Sequence, residues 1–270
     1  MSTTDMEPEQ SADTEYEFQG LFGRENTESE TGEMTLIEHL GELRQRLFIS
    51  LLAVVILSIV AFIFSDKIFQ FLLQPLPSEA NALTQHGDKR LVVTGIGEAF
   101  SVSLKISMII GIALATPIWI YQLWGFLAPA LTRKEKKYAL PFTVIGVALF
   151  IVGGAIGFVV LKYPINWLVH FNQGNFVELV TADNYFSFVG FFLLAFGLTF
   201  ELPLVLTFLA LVGVVTSKYL AKNRAYILVG LWVASCFITP GADPYSPVII
   251  GVSFTVLYFL SELMIRAIGK

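Results

Sequence analysis

Charge is scarce in this 270-residue chain: Asp, Glu, Lys and Arg make up 14% of it, against 55% hydrophobic residues. Soluble domains carry roughly 25% charge, so a soluble globular fold is excluded. A single cysteine, Cys236, excludes an intrachain disulfide. The three histidines, His39, His86 and His170, stand in separate segments, with no thiol cluster and no paired-histidine spacing that would hold a metal. There is no Gly-rich loop to cradle a phosphate and no Gly-x-Ser-x-Gly elbow. The apolar segments hold no acid pair or Ser–His pair of the kind intramembrane proteolysis needs. These absences point away from an enzyme, and no cofactor, metal or nucleic-acid partner is expected.

What the chain does have is apolar length. Runs at about 47–64, 98–121, 138–161, 188–212, 225–238 and 248–265 mark an all-α polytopic membrane protein with six transmembrane helices. Residues 1–33 hold ten acids against one basic residue, Arg24. With so little apolar surface to offset ordering entropy, they read as a disordered acidic tail ahead of a six-helix membrane domain over 34–270. No cleavable signal is visible, because the first apolar run begins only near Leu47. Before it, Leu36, Ile37, Leu40, Leu43 and Leu47 recur at three- and four-residue spacing. That pattern predicts an amphipathic helix lying along the membrane surface before the chain turns inward. Thr35 and Glu38 fit a capping box at its start.

Of the 17 Lys and Arg residues, twelve fall on the N-terminal side of the membrane, four on the other side, and Lys105 within a span. The positive-inside rule then puts both termini in the cytoplasm. The fifth run is short. Its fourteen residues, Ala225–Ile238, rise about 21 Å, against a hydrocarbon core of roughly 30 Å. Either the helix recesses or thins the bilayer, or its true ends lie a few residues outside the apolar run.

The polar residues inside or beside the spans are the candidates for function. Glu201 sits deep in the fourth span, where a carboxylate is costly and must face a partner or a wet cavity. It bonds another helix of the chain, meets a partner subunit, or lines a polar path. Lys105, near the outer end of the second span, is expected to snorkel its ammonium to the interface. Residues 123–137 pass from Leu123-Trp124-Gly125-Phe126-Leu127 through Pro129 into Arg133, Lys134, Glu135, Lys136 and Lys137. The cations there suit any cytoplasmic loop. The alternative is an acidic site for a cationic ligand, built from Glu135 with Glu38 and Glu42, which share a helix face.

Longer motifs carry a resemblance. Glu38-His39-Leu40-Gly41-Glu42-Leu43-Arg44 stands before the first span. Tyr121-Gln122-Leu123-Trp124-Gly125-Phe126-Leu127-Ala128-Pro129-Ala130-Leu131 leads to Glu135, and Ala195-Phe196-Gly197-Leu198-Thr199-Phe200-Glu201-Leu202-Pro203 lies in the fourth span. In this order they resemble the TatC family, the core receptor of the twin-arginine protein translocase, from about Met34 to Ile265. The resemblance implies a receptor in the cytoplasmic (inner) membrane for twin-arginine signal peptides of folded proteins. It also implies partners, namely TatA- and TatB-like single-span subunits and further copies of the chain in a homo-oligomer, with export driven by the proton-motive force. Signal-contacting positions carry over to Glu42, Leu43, Arg44, Phe126, Leu131 and Glu135. Pro75, Glu98 and Phe100 match family positions around the first external loop. Glu201 matches the intramembrane glutamate, with a role in partner contact. The loop Thr239-Pro240-Gly241-Ala242-Asp243 departs from the family's usual Thr-Pro-Pro-Asp by one residue, although Asp243 still matches. The rival reading from another class is a proton- or cation-coupled small-molecule transporter using Glu201.

Overall fold

Prolines set three of the joints between the described helices. The computed structural model describes residues 36–77, 91–127, 139–171, 179–241 and 243–269, with side chains from His39 onward. The expected acidic tail lies outside the described residues. Helix α1 (Leu36–Ile63) is followed at Phe64 by the short α2 (Ser65–Leu72). Then come α3 (Glu98–Leu114) and α4 (Thr116–Leu127), α5 (Ala139–Val160) and α6 (Lys162–His170), and α7 (Ala182–Thr199) and α8 (Leu202–Leu211). Helices α9 (Ser217–Ile238) and α10 (Tyr245–Ala267) close the chain. Each of the three paired rods is jointed just ahead of a proline: Pro117, Pro164 and Pro203. A proline has no N–H to give the carbonyl four residues back, and its ring crowds that carbonyl. At Pro117 the orphaned carbonyl belongs to Ala113, and the Thr116 hydroxyl donates to it at 2.7 Å. There the two helices bend by 52°.

The elements correct several expected boundaries. Helix α1 runs through Arg46 and Leu47 without a break, so the surface segment and the first span are one rod. The turn inward does not occur, because no proline interrupts it and the Glu42–Arg46 pair bridges one helical turn there. The expected loop after the first span begins instead as α2. The second span reaches to Leu127, and the third is prolonged by α6 to His170. The fourth starts six residues early, at Ala182, where the Thr181 hydroxyl caps it by accepting from the Asn184 N–H at 3.4 Å.

Among the described residues four helices are long and apolar enough to cross a membrane, and the bent α3–α4 pair makes a fifth. The sixth rod, α9, starts at Ser217 under a Thr216 cap. Its first turns carry Lys218, Lys222 and Arg224, so its apolar length remains Ala225–Ile238.

Packing centres on α7. Of its span, 61% is buried within the chain, against 6% for α1. Lipid gives apolar helices no reason to associate, so close packing between small residues and large ones does that work. Gly153 and Gly157, one turn apart on α5, receive Phe196 of α7 and Phe200 just past its end, and Gly197 of α7 in turn receives Phe150. Helix α1 meets α3 where Ser58 lies against Gly111. A Cβ at Gly111 would overlap the Ser58 backbone, so the crossing depends on glycine.

Polar clasps close both ends. At the far end from the start of α1, Val92 and Thr181 form a parallel bridge, and Lys105 bonds Asp183 at 2.5 Å and Ser187 at 2.8 Å. Lys105 therefore does not simply snorkel; it ties α3 to α7. At the near end, buried Glu262 of α10 accepts from Arg224 of α9 through both oxygens at 3.0 Å and from Arg266 at 2.5 Å. The Tyr258 hydroxyl donates to the Leu220 carbonyl at 2.9 Å.

Candidate functional site

The near ends of α1 and α4 meet at Arg46. Its Nε donates to Glu42 Oε1 at 2.9 Å and its Nη2 to the same oxygen at 2.5 Å. Its Nη1 reaches Gln122 Oε1 on α4 at 3.3 Å. The guanidinium lies over Gly125, where any Cβ would overlap it. Both charged partners are about three-quarters buried, with 26% of the Arg46 side chain and 21% of the Glu42 side chain exposed. One oxygen is left over: Glu42 Oε2 is buried with no hydrogen-bond partner among the described residues. A carboxylate accepts through both oxygens, so this corner can take one more N–H donor.

The α4 face beside it is anchored by Trp124, which is 1% exposed. Its ring packs on Phe142 at 4.7 Å and edge-on to Phe208 at 5.4 Å. Phe126, half-buried, sits in the last turn of α4, while Leu43 and Arg44 are exposed on α1. The structure thus brings Glu42 to the helix end that carries Phe126. Leu131 and Glu135, and the Glu38 side chain, lie outside the described residues.

The other expected positions are spread along the molecule. Glu98, at the far end, accepts from the Thr94 N–H at 2.6 Å, the Thr94 hydroxyl at 2.7 Å and the Gly95 N–H at 3.0 Å. It also accepts from the Asp183 N–H at 3.4 Å, so it closes the turn that opens α3. Phe100 is exposed and meets Phe62 of α1 edge-on at 6.1 Å. Pro75 is half-buried just beyond α2. Glu201 is 6% exposed at the α7–α8 joint, and neither of its oxygens has a partner among the described residues. It faces Gly146 of α5, where a Cβ would stand 3.2 Å from Oε2. In this arrangement it looks into the chain.

Asp243 caps α10. Its Oδ1 accepts the Ser246 N–H and its Oδ2 the Ser246 hydroxyl, both at 2.7 Å. Both residues are buried. Asp243→Ala should therefore lower stability by about 1–3 kcal/mol, the cost of leaving buried donors unmet. Thermal inactivation in detergent measures it, and a melting profile equal to that of the unaltered chain would refute the capping role.

The sequence model of the family described as Sec-independent protein translocase protein (TatC) matches residues 38–252. The chain belongs to the TatC family. The TatC of Desulforapulum autotrophicum is 37% identical over 234 residues, 86% of this chain and 84% of that protein. The TatCd of Bacillus subtilis is 38% identical over 240 residues, covering 88% and 94%. The chloroplastic relative of Arabidopsis thaliana is 31% identical over 256 residues, covering 94% and 72%. Among solved structures, the crystal structure of the twin arginine translocase receptor TatC in DDM matches with a TM-score of 0.71 at 33% identity. That match covers 84% of this chain and 99% of the other.

TatC membership makes the chain a multi-pass component of a protein-translocation complex in the cytoplasmic membrane, and not an enzyme. The sequence places Arg46 one turn beyond Glu42 without assigning it a role, and sequence reasoning missed Gln122 and Gly125 at this corner. The four-residue spacing of Glu42 and Arg46 was a signal for their pair. Nothing local linked Arg46 to Gln122, 76 positions away.

Proposed function

We propose that the chain is the receptor and core subunit of a twin-arginine translocase. Both termini lie in the cytoplasm, and the near ends of α1 and α4 form half of the signal-binding site. Glu42 and Glu135 take the two arginines, while Phe126 and Leu131, with Leu43 beside them, receive the apolar stretch that follows. Arg44 stands among the signal-contacting positions, and the basic residues around Glu135 meet the lipid headgroups. TatA- and TatB-like single-span subunits and further copies of this chain complete the complex, and the proton-motive force drives export.

The observation that carries the reading is the Glu42 oxygen left without a partner among the described residues, on a carboxylate that Arg46 links to Gln122 of α4. A guanidinium is the donor that suits such an oxygen, because its N–H groups make charge-assisted bonds to carboxylates. The transporter reading of Glu201 gains no support. Gly146, Ile120 and Leu204 crowd together there, and the Glu201 carboxylate lies among them.

Deleting the protein should strand folded, cofactor-loaded twin-arginine substrates in the cytoplasm while other exported proteins leave normally. Fractionation of such substrates in the deletion strain is the measurement, and normal export there sinks the reading.

A further inference from the structure

The Glu42 corner already contains the bond that a signal arginine would make. Arg46 supplies a guanidinium, Glu42 a carboxylate, Gln122 a neutral acceptor, and Gly125 the open floor on which the guanidinium rests. This is a formed guanidinium slot, and the chain's own arginine fills it. Resting on the receptor reading above, we propose that Arg46 is a built-in competitor for that slot. It sets the demand for two arginines rather than one in the incoming signal.

Three features support this. First, Nε and Nη2 of Arg46 both bond the same oxygen, Glu42 Oε1, rather than spanning the two oxygens as a fork. Such a bond holds its oxygen without satisfying the carboxylate, and Oε2 stays unpartnered. Second, Nη1 already touches Gln122. When Arg46 yields Glu42, a second, uncharged resting place lies within reach of the same side chain. Third, the pair is electrically neutral, so the slot exerts little net pull on a lone cation.

Tethering decides the competition. Arg46 sits one helical turn from Glu42, which gives it an effective concentration of about millimolar or more. A peptide carrying one arginine reaches only Oε2 of a carboxylate whose charge Arg46 already neutralises, and it gains both oxygens only by displacing that tethered guanidinium. A second arginine, bonding a carboxylate elsewhere on the receptor, supplies what the exchange lacks. Arg46 thus acts through Glu42 as a specificity-determining residue.

The test uses the full chain in lipid nanodiscs and three labelled signal peptides that differ only at the pair: Arg-Arg, Arg-Gln and Gln-Gln. Against the unaltered chain, Arg46→Gln should bind the Arg-Gln peptide roughly tenfold more tightly, the scale of one freed charge-assisted bond. The ratio of Arg-Arg to Arg-Gln affinity should fall by a similar factor. Arg46→Lys, which keeps the charge, should keep most of the discrimination. Glu42→Ala leaves Arg46 as an unpaired cation facing the signal, so Glu42→Ala with Arg46→Gln should bind Arg-Arg better than Glu42→Ala alone.

An unchanged ratio in Arg46→Gln, or equal weakening of both peptides in a variant that melts like the unaltered chain, overturns the proposal. Should Arg46→Gln fail to fold, Gln122→Ala decides. Removing the second resting place should raise the ratio a few-fold, and an unchanged or lower ratio overturns it. If the unaltered chain binds Arg-Arg no better than Gln-Gln, the receptor reading fails and the competitor role with it. That outcome is distinct from any change in ratio.

Discussion

Trp124→Ala should be the most destabilising single substitution at the near end of the bundle. The ring is 1% exposed and fills the space between Phe142 of α5 and Phe208 of α8, beside Ile120 and Leu211. In soluble cores Phe or Trp to Ala costs about 3–5 kcal/mol. Here the neighbours are apolar spans in lipid, so the transfer part of that cost is small and the lost packing and cavity remain. The lower end, about 3 kcal/mol, is the expected loss. Trp124→Phe, which keeps most of the ring volume, should lose less than half as much.

Because Trp124 lies two residues before Phe126 and one before Gly125, loosening it also shifts the floor under Arg46. Signal-peptide affinity should fall along with stability. Thermal inactivation in detergent and peptide binding at a permissive temperature separate the two effects. A Trp124→Ala variant as stable as the unaltered chain would contradict the packing described above.

Removing both proposed carboxylates should have the largest effect on function. A hydrogen bond to a charged group contributes about 1.5–3 kcal/mol, so Glu42→Ala or Glu135→Ala alone should weaken twin-arginine peptide binding roughly ten- to hundredfold. The double variant should lose on the order of a hundredfold or more if the two sites act independently. Each single loss should also be steeper at low salt, where screening of the remaining cations is weakest. Site-specific crosslinking of a signal peptide to the chain reads both. Preserved crosslinking in the double variant sinks the two-carboxylate site. The Glu42 half has a second consequence. Its loss strands Arg46, which is largely buried and, among the described residues, keeps only the bond to Gln122. Glu42→Gln, which keeps an acceptor for Arg46, should therefore be milder to stability than Glu42→Ala.

Much of this protein is legible in one dimension because a bilayer imposes one-dimensional rules. Apolar length reports spans. Prolines report joints, since each lacks the donor that an uninterrupted helix would use. The motifs around Glu42, Trp124 and Glu201 sufficed to place the chain in its family. Helix ends were less legible. Thr181 and Thr216 start α7 and α9 several residues before their apolar runs begin, because a cap and a protein-facing turn need no lipid-facing hydrophobicity.

What the sequence by itself determined was an all-helical membrane protein and the identity of its family. What only the tertiary structure decided is which groups meet. Lys105 found Asp183 across 78 positions, and Asp243 proved to be a buried cap. Glu201 turned inward, against Gly146. Helical periodicity predicts the face a side chain occupies but not the rod opposite, which depends on how the glycines let the helices approach. For that reason Glu42 could be singled out from its motif alone, whereas the Arg46 that already occupies it became visible only where α1 crosses Gln122 and Gly125.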